Sequence, residues 1–142
     1  MDLNEIEKLW KEDSYIDPDN LHLESIKIPS LHSKYFNIYN NLSLLKKKEE
    51  NNFLELQKEK WLYYSGKADP EIYKQKPFDH RVLKSDLDKY LDADDELIRS
   101  NTKIEYYNIM LKFLESILKS IENRSFQIKN SIDFQKFIGG FS

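Results

Sequence analysis

The sequence predicts an all-α fold, a helical bundle of two long helices with shorter flanking helices. Only 3 of the 142 residues are glycine and 4 are proline, which leaves long uninterrupted stretches and disfavours a sandwich or barrel with many turns. Apolar residues recur every three or four positions along these stretches, which is the period of a helix. At 39% hydrophobic and 13% aromatic residues, the chain has enough apolar material to fold around a core.

Two short helices are predicted at the start of the chain. The first carries an apolar face over residues 3–10 and ends near Ser14. The second is predicted to start at Asp17-Pro18, because an aspartate cap followed by proline is typical of a helix start. Apolar residues then continue the pattern toward Pro29, which is expected to end or kink this helix.

One long helix is predicted next. Ser30 is expected to cap it, and apolar residues from Leu31 onward follow the alternating spacing of four and three that is typical of coiled coils. The helix should continue to about Tyr64, since Ser65-Gly66 is a helix-stop signal. The following segment, 67–82, contains Asp-Pro and Lys-Pro pairs and is predicted to be a loop.

The second half is predicted to hold a short helix up to Leu91, a long helix and a terminal helix. Acidic residues at 92–95 favour the start of the long helix, because carboxylates cap a helix N-terminus and interact well with its dipole. Apolar residues then repeat every seven positions from Leu97 to Ile121, on a stripe wide enough to be buried within the chain or between subunits. A dense aromatic segment follows, closed by Gly139-Gly140. The chain is thus predicted to divide into an N-terminal helical region, 1–66, a loop, 67–82, and a C-terminal helical region, 83–142.

Composition argues against several function classes. The absence of cysteine excludes disulfides, thiol catalysis and iron–sulfur ligation, and the three histidines lack metal-ligand spacing. There is no glycine-rich phosphate loop and no nucleophile elbow. We therefore expect no enzyme activity, no cofactor and no metal. No signal-peptide pattern and no run of about 18 apolar residues is present, so a cytoplasmic protein without a membrane partner is expected.

The basic residues are concentrated in the middle of an acidic chain. The net charge is -3, yet residues 46–84 carry 10 Lys or Arg against 7 Asp or Glu. Lysines and aromatic rings alternate there, and single-stranded nucleic acid is held by this combination of charge and stacking. The alternative is that Trp61 and Tyr64 face the core while the lysines are solvated. The candidate DNA-binding residues are Lys46, Lys47, Lys48, Lys58, Lys60, Trp61, Tyr63, Tyr64 and Lys67.

Short motifs spread from Tyr15 to Ile132 resemble a known family in their order and spacing. They are Leu31-His32-Ser33-Lys34-Tyr35, Lys58-x-Lys60-x-x-Tyr63-Tyr64-Ser65-Gly66, Lys84-Ser85-Asp86-Leu87 with Leu91-Asp92-Ala93-Asp94, Tyr106-Tyr107-x-x-x-Leu111, and Asn123-Arg124-x-Phe126-x-Ile128-Lys129. The family is UvsY, the recombination mediators of T-even-type bacteriophages.

This resemblance implies a non-enzymatic protein of the host cell cytoplasm that binds single-stranded DNA as a ring-like homo-oligomer of about six or seven subunits. It implies two protein partners, a RecA-class phage recombinase and the phage single-strand-binding protein that covers the DNA. Family DNA contact is associated with basic residues before the Tyr-Tyr-Ser-Gly run, here Lys58 and Lys60. Family self-association involves the C-terminal helical part, which here implies the heptads from Leu111 to Ile121 and the aromatic tail. The candidate residues are Leu111, Leu114, Ile117, Leu118, Ile121 and Phe126.

Two alternative functions are open at this stage. A helical scaffold or adaptor would recruit a partner through the acidic block 85–105 and would assemble without binding DNA. A metal-dependent nuclease would use the carboxylates of 92–96, although an acidic helix cap explains the same residues.

Overall fold

A computed structural model describes residues 1–140 of the chain, and it confirms the all-α prediction. These residues form seven α-helices and one turn of 3-10 helix at Lys84–Asp86, with no strand among them. The predicted C-terminal region, 83–142, includes residues 141 and 142, which lie outside the described residues. The helices are α1 Leu3–Asp13, α2 Leu21–Ile26, α3 Ile28–Tyr64, α4 Pro70–Gln75, α5 Leu87–Asp92, α6 Asp95–Glu122 and α7 Arg124–Ile138.

The first helix begins at a capping box. The carboxylate of Asp2 accepts the backbone N–H of Glu5 at 2.8 Å, and the Glu5 carboxylate accepts the N–H of Asp2 at 3.0 Å. This exchange satisfies two N–H groups that have no partner inside the helix. The predicted short N-terminal helix is therefore confirmed, and it ends at Asp13, next to the predicted Ser14.

The predicted start of α2 at Asp17-Pro18 is wrong by three residues. The carboxylate of Asp17 accepts the backbone N–H of Asp19 at 3.0 Å and the side-chain amide of Asn20 at 2.6 Å. These bonds build a turn around the aspartate, so the helix begins only at Leu21. Short side-chain bonds of this kind compete with a helix start for the same aspartate oxygens.

The predicted start of α3 is also displaced. The helix begins at Ile28, and Pro29 lies in its first turn, where the missing N–H of proline costs little. The Ser30 hydroxyl donates to the Lys27 carbonyl at 3.0 Å, so Ser30 is not the cap that the sequence suggested. The end at Tyr64 is as predicted, and Gly66 follows with the left-handed φ of 78° that a helix stop requires.

A short helix, α4, interrupts the segment 67–82 that was predicted to be a loop. Its Asp69-Pro70 start places proline in the first turn, where the fixed φ favours a helix. The hydroxyl of Tyr73 donates to the Tyr63 carbonyl at 2.8 Å, which ties α4 to the end of α3. Because this bond spans ten residues, the local sequence pattern gave no sign of it.

Among residues 1–140, no helix combines the length and the apolar character that crossing a membrane requires.

The chain divides into two compact units, one of Met1–Ser43 with the chain from Ile109 onward and one of Leu44–Asn108. In the first unit, Trp10 contacts Tyr35 edge-on, with ring centroids 5.5 Å apart. The Tyr35 hydroxyl donates to Asp13 at 2.8 Å, and the buried Arg124 donates to the Asp13 carbonyl at 2.7 Å. Each fully buried large apolar side chain contributes about 1.5–3 kcal/mol. Those below 2% exposure here are Ile6, Tyr35, Met110, Leu114, Ile117 and Ile121.

The second unit has a small apolar core, with Leu87 and Leu97 buried. It depends on two other sets of contacts. One is a cluster of aromatic rings 5.2–5.8 Å apart, and the other is a network of charged side chains that joins α3 to α6. The rings of the aromatic cluster are Tyr63, Tyr64, Tyr73, Phe78 and Tyr90.

Candidate nucleic-acid interface

One side of α3 presents basic and apolar side chains to solvent in the second unit. Lys47, Asn51, Leu54, Lys58 and Trp61 are all exposed, Leu54 to 61% and Trp61 to 39%. Their spacing of four, three, four and three places them in one row on a helix, which we call the α3 stripe. At about 1.5 Å per residue the stripe is about 21 Å long. It therefore offers alternating cations and apolar surface along one line.

The lysines of this region differ in how they are paired. No ion pair among residues 1–140 involves Lys47, Lys48 or Lys58. Lys46, by contrast, lies 3.7 Å from the carboxylate of Glu50 on the same helix. The unpaired lysines keep their full charge available for an external anion.

Lys67 covers the ring of Trp61 at the end of α3. Its ammonium nitrogen lies 4.8 Å from the ring centroid, a cation–π contact. Both side chains are exposed to solvent. The indole and the ammonium group together are suited to bind a base and its neighbouring phosphate.

Lys60 is placed differently from Lys58. Its side chain is only 14% exposed, and its nitrogen lies 3.4 Å from Asp94 and 3.2 Å from Glu96. Burial alone would lower the pKa of Lys60, but the hydrogen bond to Glu96 and the charge of Asp94 outweigh it and raise that pKa above its ordinary value. Lys60 is thus a charged residue that joins α3 to the start of α6.

Asp94 is the N-terminal cap of α6, as the acidic block predicted. One carboxylate oxygen accepts the backbone N–H groups of Glu96 and Leu97, both at 3.0 Å. The other accepts the hydroxyl of Tyr64 at 2.5 Å and faces Lys60. Burial raises the pKa of Asp94, but these hydrogen bonds and the charge of Lys60 outweigh burial and hold that pKa below its ordinary value.

The two adjacent tyrosines belong to the aromatic cluster. The hydroxyl of Tyr63 donates to the Lys76 carbonyl at 2.9 Å, and its ring stacks on Tyr73 with centroids 5.4 Å apart. Tyr64 contacts Phe78 edge-on and is held by Asp94. Both rings pack against protein, so of the three candidate rings Trp61 is the most open to solvent.

The six residues predicted for self-association do not share one surface. Leu111, Leu114, Ile117 and Ile121 are buried within a single chain, where they form the core of the first unit. Their broad apolar stripe is accounted for without a second subunit. Leu118 is half-buried, and Phe126 is 69% exposed.

Exposed phenylalanines of α7 lie in the aromatic tail that the resemblance linked to self-association, where Phe126 was the one candidate residue named. Phe126, Phe134 and Phe137 are 69%, 62% and 80% exposed. They are eight and three residues apart, which places them on the same side of the helix. Exposed phenylalanines along one side of a helix are typical of a surface that another protein covers.

In the described structure, side chains of the acidic segment 92–96 stabilise the fold. Asp94 caps α6, and Glu96 lies 3.2 Å from both Lys60 and Lys76. Within residues 1–140, no three His, Asp or Glu side chains come together in a way that could hold a metal ion. Glu96 was considered only within the acidic cluster 92–96, and Lys76 was not a predicted site residue; 20 positions separate the two, so the sequence did not indicate their contact.

The chain is similar to bacteriophage proteins of recombination and repair. The family described as recombination, repair and ssDNA binding protein UvsY matches residues 9–141. The recombination protein uvsY of Enterobacteria phage T4 is 30% identical over 145 residues, which covers 99% of both chains.

Solved structures agree with this class. The crystal structure of the bacteriophage T4 recombination mediator protein UvsY in lattice type II has a TM-score of 0.85 at 28% identity and covers 98% of both chains. Lattice type I gives 0.83 at 28% identity, covering 94% of this chain and 98% of the other. The chain therefore belongs to the UvsY family, a family of recombination mediators, and the resemblance noted in its motifs is confirmed.

Proposed function

We propose that this protein binds single-stranded DNA along the α3 stripe and, as an oligomer, loads a RecA-class phage recombinase onto DNA covered by the phage single-strand-binding protein. The observation that carries the proposal is the exposed, unpaired Lys58 beside Trp61. It lies in the chain just before Tyr63-Tyr64-Ser65-Gly66, where the family resemblance locates DNA contact. The name of the matching family, which includes ssDNA binding, supports the same interpretation.

The proposed contacts divide into phosphate and base contacts. Lys47 and Lys58, eleven residues apart on one side of α3, are about 17 Å apart along the helix and follow the DNA backbone. Trp61 stacks on a base, and each stacked base contributes about 1–3 kcal/mol. Lys67 moves from the indole ring to a phosphate next to that base. Lys46 and Lys48 flank the stripe and add to its positive field.

The remaining candidate residues, Lys60, Tyr63 and Tyr64, stabilise the helix that carries the interface. Lys60 fixes the end of α3 to Asp94, and Tyr63 and Tyr64 hold the same helix end through the aromatic cluster. These contacts keep Lys58 and Trp61 in position. Lys60 also lines a groove beside α4. DNA contact is thus assigned to the N-terminal region, 1–66, and to Lys67 directly after it, and self-association is assigned to the C-terminal region, 83–142.

Self-association is proposed to use the exposed phenylalanines of α7. In a ring, the exposed side chains of Phe126, Phe134 and Phe137 pack against the neighbouring subunits and are covered by them. Each subunit then presents one α3 stripe, and many weak contacts combine into strong binding of one strand. A strand bent over several subunits is partly unstacked, which loosens the single-strand-binding protein and opens the DNA to the recombinase.

The test is fluorescence anisotropy of labelled oligo-dT, with a duplex of equal length as control and light scattering on the same sample. We expect a large assembly that prefers the single strand and binds less tightly as salt is raised. A large assembly without DNA affinity at low salt would instead support the scaffold or adaptor function, for which the phenylalanines of α7 are the favouring observation.

A further inference from the structure

Two lysines from separate segments converge on one carboxylate oxygen in the second unit. Lys60 of α3 and Lys76, directly after α4, each place their nitrogen 3.2 Å from the same oxygen of Glu96. The Glu96 side chain is 40% exposed and the Lys76 side chain 66% exposed. The Glu96 carboxylate is partly exposed and bridges two lysine ammonium groups. The two lysines therefore already hold one anionic group.

The backbone at Lys76 is held in place. The Tyr63 hydroxyl donates to its carbonyl at 2.9 Å, and its own N–H donates to the Ile72 carbonyl at 2.9 Å. The lysine therefore extends from a fixed point beside α3, and only its side chain has to move when its partner changes.

A groove of about 350 Å³ lies beside these lysines. Its wall includes the apolar side chains of Leu56 and Ile72 and the ring of Tyr63. Its charged lining consists of Lys60, Lys67, Lys76, Glu59, Asp69 and Glu96. The three lysines are balanced by three carboxylates, and Lys60 also pairs with the buried Asp94, so Lys76 is the lysine that loses its ion-pair partner when Glu96 turns away into solvent.

We propose that Lys60, Lys67 and Lys76 form a second phosphate site for single-stranded DNA, which the carboxylate of Glu96 occupies while no DNA is bound. This inference rests on the proposed DNA-binding function and extends it to Lys76, in the segment 67–82, where only Lys67 was assigned a DNA contact. Lys67 connects the two sites, because it lines the groove and also covers Trp61 of the α3 stripe.

The exchange is chemically balanced. A phosphate oxygen and a carboxylate oxygen accept the same ammonium hydrogen bonds, so a DNA phosphate replaces Glu96 without leaving either lysine unpaired. Glu96 is half-exposed, and it regains water when it leaves. Its hydrogen bonds to Lys60 and Lys76 hold the pKa of Glu96 below its ordinary value, so the carboxylate competes as an anion at neutral pH.

The test compares Lys76→Ala with Lys74→Ala in oligo-dT binding over a range of salt concentrations. Lys74 is a matched control, because it lies two residues earlier, is 72% exposed and pairs only with Glu71 in the described structure. For single strands each phosphate contact adds about 0.7 to the slope of log affinity against log salt, so losing one costs about fivefold at 0.1 M salt. We expect this loss for Lys76→Ala and none for Lys74→Ala.

A second variant acts in the opposite direction. Glu96→Gln removes the competing charge, so we expect it to bind oligo-dT severalfold more tightly than the natural protein. A purely structural role of Glu96 would instead leave affinity unchanged or lower it. Either that result or equal affinities for Lys76→Ala and Lys74→Ala would overturn the second site.

Lys58→Ala in the same series separates this inference from the proposed function. If Lys58→Ala weakens binding and Lys76→Ala does not, the α3 stripe binds DNA and the second site is wrong. If the natural protein has no affinity for oligo-dT at low salt, both proposals fail.

Discussion

Replacing Lys60 by alanine should destabilise the protein far more than replacing Lys58. Lys60 is 14% exposed and faces Asp94, whose side chain is 4% exposed, at 3.4 Å. Removing one partner of a buried ion pair costs about 3–5 kcal/mol, because the other charge is left uncompensated. Lys58 is exposed and makes no ion pair in the described chain, so its replacement should change stability by less than about 0.5 kcal/mol.

The contacts that Asp94 keeps reduce the expected cost. Its carboxylate retains the hydroxyl of Tyr64 and the backbone N–H groups of Glu96 and Leu97 after Lys60 is removed. The second contact of Lys60, to the half-exposed Glu96, is screened by water and contributes only about 0–1 kcal/mol. We therefore expect a loss of about 2–3 kcal/mol for Lys60→Ala, which is below the usual cost for a buried pair.

Urea unfolding followed by circular dichroism measures this difference at equal subunit concentrations. With a slope of about 2 kcal/mol per M urea, the midpoint of Lys60→Ala should fall by about 1–1.5 M. Lys60→Met keeps most of the aliphatic stem, so it separates the lost charge from lost packing. Equal midpoints for Lys60→Ala and Lys58→Ala would refute the argument that Lys60 joins α3 to α6.

Three further predictions concern the core, the base contact and acid. Leu114→Ala should lower the free energy of unfolding by about 2–5 kcal/mol in a thermal melt, because the side chain is fully buried. Phe126→Ser should instead lower the mass of the assembly in light scattering without that loss of stability. Trp61→Ala should weaken oligo-dT binding by about 1–3 kcal/mol in anisotropy without changing the salt slope; an unchanged affinity would contradict base stacking. Because folding lowers the pKa of Asp94, its ionised carboxylate stabilises the fold at pH values above its unfolded pKa of about 3.9. This contribution is lost as the pH falls through the folded-state pKa. Asp94→Asn should therefore show a shallower loss of stability below about pH 4 in urea titrations, and an unchanged slope would contradict this.

The two long helices were predictable because their apolar periods run over many turns. The end of α3 at Tyr64 and the start of α6 near Asp94 each carry a local signal, a glycine stop and an aspartate cap. The start of α2 was mispredicted because the signal at Asp17 has two physical outcomes. An aspartate before proline starts either a helix or a side-chain turn, and the hydrogen bond from Asn20 favours the turn.

The candidate interface was predictable as a region and less so residue by residue. Lys58 and Lys60 are two positions apart, which turns them to different sides of α3. The sequence shows that both are basic but does not show which side meets α6, and that contact decides which lysine stays exposed. The contact of Lys76 with Glu96 depends on how α4 folds back onto α3, which follows from the bonds of Tyr63 and Tyr73 and not from a local pattern.

The most direct test of the central claim is the salt dependence of oligo-dT binding by the natural protein and by Lys58→Ala. Lys89→Ala serves as a control, because Lys89 is 81% exposed, lies outside the α3 stripe and pairs with Asp86. If the α3 stripe binds single-stranded DNA, Lys58→Ala should reduce the magnitude of the slope by about 0.7 per subunit in contact, while Lys89→Ala leaves it unchanged. Identical slopes for all three proteins would contradict the account.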